Sequence, residues 1–81
     1  MKGDGCALVL QEVPLGQTGF VNELIISGDT RRRLMDLGFL PGTKIVPLFR
    51  GPSGDPTAYR VLGAVIALRA ELASRIQVER R

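Results

Sequence analysis

The side chains with most chemistry to offer are Cys6, the carboxylates Asp29, Asp36 and Asp55, and the guanidinium run Arg31-Arg32-Arg33. Cys6 is the only thiol and the sequence has no His. A zinc site needs about four N/S ligands, so none can be assembled within one chain. Without imidazole the usual general base near neutral pH is missing, and with it any Ser–His or Cys–His nucleophile pair. The three aspartates could give oxygen ligands to a hard cation. Asp29 reads instead as a helix cap, Asp36 as a solvated helix residue and Asp55 as a turn residue. Borderline metals prefer imidazole and thiolate, so no metal site is expected. Gly51 to Gly54 has the glycines of a phosphate loop but no following Lys-Ser/Thr pair and no helix to open. No catalytic residue and no cofactor are therefore expected, and Cys6 reads as an inert passenger.

These side chains sit in 81 residues, of which 44% are hydrophobic and 23% charged, the composition of one globular domain spanning 1–81. A single thiol cannot form an internal disulfide, which fits a reducing compartment. The net charge of +3 comes chiefly from Arg31 to Arg33 and Arg80-Arg81, while acids and bases alternate elsewhere. That is weaker than the one-sign stripe of a nucleic-acid binder, and no nucleic-acid partner is expected. Residues 1–5 read as a flexible leader, followed by only four apolar residues, Ala7 to Leu10. Nowhere do ~18 apolar residues run together, so a cytoplasmic location without direct membrane insertion is expected.

The elements follow from turn chemistry and periodicity. Ala7 to Leu10 reads as a short strand or an apolar anchor, and Pro14 to Gly19 as a turn. Phe20 to Ile26 reads as a strand with Phe20, Leu24 and Ile26 on one face. Ser27 or Asp29 caps a short helix that turns Leu34 and Leu37 inward, with Met35 beside them and the arginines on the opposite face. Gly38 suits its left-handed end, and Pro41 stops it. Thr43 to Arg50 is a strand in which Pro47, having no N–H, implies an edge or a bulge. Thr57–Leu62 and Ala64–Leu68 read as two strands around Gly63, which suits a tight hairpin or a bulge. Arg69 to Ser74 allows one helical turn, and Arg75 to Glu79 alternates as a last strand. Short strands at this spacing predict a mainly β fold, a small barrel with a short helix after the second strand and a helical turn before the last.

Four segments also resemble a known family. "RL-x-x-LG-x-x-PG-T" spans Arg33 to Thr43, "GDP" is Gly54 to Pro56, "R-V-x-G-x-x-IALR" runs from Arg60 to Arg69, and "A-x-x-I-x-V" from Ala73 to Val78. In this order they resemble the FeoA family, over roughly residues 8–78. The resemblance implies an SH3-like β-barrel. It also implies a partner, the FeoB membrane GTPase that carries ferrous iron, and with it a place at the inner face of the cytoplasmic membrane. The motif glycines Gly38, Gly42, Gly54 and Gly63 fall where turns need them, so the motifs read as structural. A proline-rich ligand does not follow from the fold, since its groove needs aromatics and the chain has no Trp, one Tyr and three Phe.

The expected role is a non-enzymatic accessory protein. Its partner-binding surface is expected at the helix and its exit, Arg31, Arg32, Phe39 and Leu40, chosen on exposure and chemistry. Two other readings stand beside it. One is a detached protein-binding regulator related to the SH3-like C-terminal domain of metal-dependent repressors, 81 residues leaving no room for their helix-turn-helix. The other is a small RNA-binding barrel, for which Tyr59 beside Arg60 is the one stacking pair. A homo-oligomer through an open edge near Pro47 is a further expectation.

Overall fold

Apolar runs of three to seven residues, punctuated by Gly and Pro, form six antiparallel strands in the computed structural model, which describes residues 7–80. The strands are β1 (Ala7–Val9), β2 (Gly19–Leu24), β3 (Lys44–Arg50), β4 (Thr57–Val61), β5 (Ala64–Leu68) and β6 (Ile76–Glu79). Helix α1 (Gly28–Leu37) follows β2, a 3-10 turn Leu10–Glu12 follows β1, and the single helical turn α2 (Ala70–Ala73) precedes β6. This is the mainly β architecture expected, helix and helical turn included. The readings made for residues 1–5, Cys6 and Arg81 lie outside the described residues.

The sheet order is β1-β6-β2-β3-β4-β5, so the last strand slides between the first two. Val78 of β6 stands opposite both Leu8 and Val21. That insertion carries Ile76 and Val78 into the middle of the core with Leu10, Val13, Ile45 and Val61, all at most 1% exposed.

Two strands carry a register shift. In β2 the register jumps between Val21 and Glu23, leaving Asn22 as an extra residue. The bulge reverses the parity of the strand, so Val21 and Leu24 both face the core and Phe20 is only half-buried. The expected face of Phe20, Leu24 and Ile26 is corrected accordingly. In β3 the register shifts between Pro47 and Phe49, the bulge that Pro47 implied. The Pro47 carbonyl accepts the Gly16 N–H at 2.7 Å on the side where β2 has not yet begun, so its missing N–H sacrifices no ladder bond. Strand β3 nevertheless lies inside the sheet, and the open edges are β1 and β5. The edge expected near Pro47 is corrected to these.

Asp55 does more than turn the chain. Its Oδ1 accepts the Ala70 N–H at 2.7 Å, capping α2 from fifteen residues away, and Oδ2 lies 3.7 Å from Arg69 Nη1. The segment Gly54-Asp55-Pro56 and the Leu68-Arg69 end of β5 thus meet at one helix start. Asp55→Ala is expected to cost about 0.5–2 kcal/mol in urea unfolding, the usual loss for a missing cap. Asp55→Asn keeps an acceptor and gives up only the exposed ion pair, so it should cost a few tenths of a kcal/mol. Equal losses from the two would assign the energy to the charge instead.

Candidate functional site

Helix α1 carries a polar sequence with little to bury. Ser27 occupies its N-cap position with extended backbone but no side-chain hydrogen bond, and Asp29 falls in the first turn. Arg31, Arg32 and Arg33 are all exposed. Arg31 folds back along the helix and donates from Nη1 to Met35 Sδ at 3.2 Å. Only Leu34 is fully buried within the helix. Leu37, expected to pack with it, is 41% exposed.

The helix exit explains where the next two residues go. Gly38 has φ +113°, its N–H bonds Met35 O at 3.1 Å, and the Phe39 N–H reaches back to Leu34 O at 3.0 Å. This pair of bonds is the Schellman motif, in which the apolar residue after the left-handed glycine packs on the last inward turn. Phe39 is driven into the core and is 0% exposed. Its expected place on the contact surface is therefore corrected: the ring lies beneath the surface and braces it. Leu40 emerges again at 41% exposure. Its carbonyl accepts the Thr43 N–H at 3.0 Å, closing a turn in which Pro41 and Gly42, the latter at φ +90°, take the central positions.

The hairpin tip between β4 and β5 adjoins this exit. Leu62 and Gly63 link the paired residues Val61 and Ala64, with φ of 51° and 84°. Both positive angles mark a type I′ turn, whose first position favours Asn, Asp or Gly. Leucine there is disfavoured twice, by its left-handed backbone and by 73% exposure. Its side chain lies over Gly38, with Cδ1 2.6 Å from where a Cβ of that residue would stand. Beside Leu40 of the expected set, the exposed apolar side chains Leu37 and Leu62 thus also lie at the helix exit, around Gly38. No periodicity could reveal Leu62, because its exposure depends on the turn type.

The rest of the described surface is shallow. Two shallow hollows of about 510 and 450 Å³ are open to solvent, one along Glu23–Ser27 and Arg75, the other along Asp29, Arg31, Arg32, Met35 and Asp36. A crevice of about 60 Å³ runs between α1 and β2, with Arg31 and Met35 on one wall and Val21 and Glu23 on the other. Among the described residues, no three carboxylate or thiol side chains gather where they could hold a metal ion. No helix among them is long and apolar enough to cross a membrane.

Tyr59 is 1% exposed, so it has no face to offer a base, while Arg60 points to the other side of the strand. The stacking pair on which the RNA-binding reading rested is removed. Burial pushes the Tyr59 phenol above its ordinary value, against the smaller opposing effects of a Thr57 hydrogen bond and Arg50. A raised folded-state pKa means that the native state holds its proton longer than the unfolded one. The stability this confers is complete below the unfolded phenol's value of about 10 and is lost as pH climbs through the raised folded value. The melting temperature should accordingly fall on that alkaline limb, and fall less in Tyr59→Phe. With a single Tyr and no Trp, phenolate absorbance reads the titration directly. Ionisation at the ordinary pH with no loss of structure would contradict the assignment.

Comparison with known proteins adds to this geometry. The FeoA domain family model matches residues 8–80. A curated relative from Porphyromonas gingivalis, an Fe(2+) transport protein A/Fe(2+) transporter FeoB fusion protein, is 31% identical over 70 residues. Those residues are 86% of this chain but only 8% of the relative's length. The solution structure of iron(II) transport protein A from Clostridium thermocellum superposes with a TM-score of 0.84 at 30% identity, over 89% of this chain and 44% of that one. FeoA of Stenotrophomonas maltophilia, described as a procaryotic SH3 domain protein, gives 0.77 at 31% identity over 88% of each chain.

Proposed function

The chain belongs to the FeoA domain family, and from that premise we propose that it is a non-enzymatic accessory protein of ferrous-iron uptake that docks on the cytoplasmic side of the FeoB transporter. The observation that carries this reading is the relative in which an FeoA-like segment and FeoB form one polypeptide. Covalent linkage holds two modules at high effective concentration, which serves a pair that works in contact. The shallow hollows, with no acid, base and nucleophile converging among the described residues, favour a binding role over a chemical one.

The docking face runs along α1 and around its exit. Arg31 and Arg32 supply charge for steering and orientation. Leu37, Leu40 and Leu62 supply the apolar contact, and buried Phe39 holds the Leu40 turn in place. Neither Arg nor Leu in this set is needed for the core, so they can be exchanged without unfolding the protein.

The test is capture of full-length FeoB from the same cell, in detergent, by tagged protein with and without GTP, the isolated GTPase domain running alongside. Saturable capture of the full-length transporter is expected, and Arg31→Ala/Arg32→Ala/Leu40→Ala should weaken it about tenfold or more. No capture by folded protein in either nucleotide state would overturn the function. Undiminished capture by the triple variant would overturn the surface.

A further inference from the structure

We propose that β5 pairs with β5 of a second copy of this chain, antiparallel and centred on Ile66. The sheet ends at β5, which pairs with β4 on one side only. Its other side offers a row of backbone donors and acceptors to any extended strand. Natural edges are usually blunted by shortness, proline, a bulge or charge. The other edge, β1, is only three residues long. Strand β5 has none of these devices: Ala64-Val65-Ile66-Ala67-Leu68 is continuous, free of proline, in unbroken register with β4 and without a charge.

Exposure agrees with a missing neighbour. Val65 is 58% exposed, Ala64 and Ala67 are exposed, and Ile66 is half-buried. A five-residue apolar strand with most of its side chains in water is unusual for an edge left open to solvent.

Charge and size select the occupant. A strand with no charge is matched by another with none, and β5 itself is one. Pairing about Ile66 sets Val65 against Ala67 of the second copy, and Ala67 against its Val65, so a larger side chain meets a smaller one twice on the outer face. Ala64 meets Leu68 in the same way on the inner face. Arg69, the nearest charge in sequence, lies opposite Gly63 of the second copy and is held by Asp55 at 3.7 Å. No like charges are brought together.

The mass in solution, followed by light scattering over a concentration series, tests this. It should rise from 8.8 kDa toward twice that value, with amide exchange in β5 slowing as dimer forms. Val65→Lys/Ala67→Lys places lysines opposite lysines across the pair and should weaken association about tenfold or more. Mixing it with Val65→Glu/Ala67→Glu should restore a heterodimer, because residue 65 of one copy then meets an opposite charge at 67 of the other. A mass of 8.8 kDa up to about 1 mM would overturn the proposal, including the case in which another protein's strand covers this edge. So would a dimer whose β5 amides exchange as fast as in the monomer, or a mixture of the two variants that stays apart.

Discussion

Phe39→Ala should lower stability by about 3–5 kcal/mol, the usual cost of removing a fully buried ring and leaving a cavity behind. A chain of this length has about 4–12 kcal/mol in total. The variant is therefore expected to melt more than ~12 °C below the wild type, and at the low end of the range it does not fold at all. The same substitution at Leu40, 41% exposed, should stay within about 0.5 kcal/mol. Two adjacent residues thus separate a fold effect from a surface effect. Both substitutions should reduce FeoB capture, Phe39→Ala through loss of structure and Leu40→Ala through loss of contact. Urea unfolding beside the capture assay tells them apart. A Phe39→Ala variant as stable as wild type would place the ring outside the core.

Local chemistry was legible. Pro41-Gly42, Gly63 and Gly38 each announce a turn, because only certain residues tolerate a positive φ, and all three turns are found. The order of strands and helices followed from the same punctuation. Long-range pairing was not legible in this way. Nothing in β1, β2 or β6 alone says that β6 lies between the other two, since the choice depends on how the whole core closes. The bulge at Asn22 was equally silent, and one inserted residue was enough to reverse the predicted face of β2. Asp55 shows the same limit, because its role as the cap of α2 links residues fifteen positions apart.

The surface divides along similar lines. Arg32 is exposed because helical spacing places it opposite Leu34, whereas Arg31 lies on a line neighbouring Leu34 and keeps its head outside by folding back along the helix to Met35. Phe39 could have been assigned inward from Gly38 alone: a left-handed glycine closing a helix turns the following apolar residue back onto it. Leu37 misled, because a helix end loses its inward stripe once the chain turns away. Leu62 breaks the rule for its turn, and residues held in costly backbone conformations gather at functional positions. That is the reason for counting it in the proposed docking face.

The contact of Leu62 with Gly38 gives the second large effect. Gly38→Ala should cost about 2–4 kcal/mol: about 1–2 kcal/mol for holding an L-residue in the left-handed region, the rest from crowding in a packed site. Three atoms stand in the way of the new methyl group, Leu62 Cδ1 at 2.6 Å, Leu62 Cγ at 3.1 Å and Val61 Cγ1 at 3.2 Å. They differ in freedom. Leu62 is exposed and can swing aside, whereas Val61 is 0% exposed and held in the core. Backbone strain and Val61 should therefore carry most of the cost. In a double-mutant cycle, Gly38→Ala should remain destabilising by at least about 1.5 kcal/mol when introduced into Leu62→Ala. If removing the leucine side chain abolished the penalty, the glycine would be needed only to make room for Leu62. A persistent penalty means that the helix end itself requires the left-handed residue. The two cases differ for function, because in the second the hairpin tip can be varied freely to probe docking while the turn that buries Phe39 and presents Leu40 stays intact.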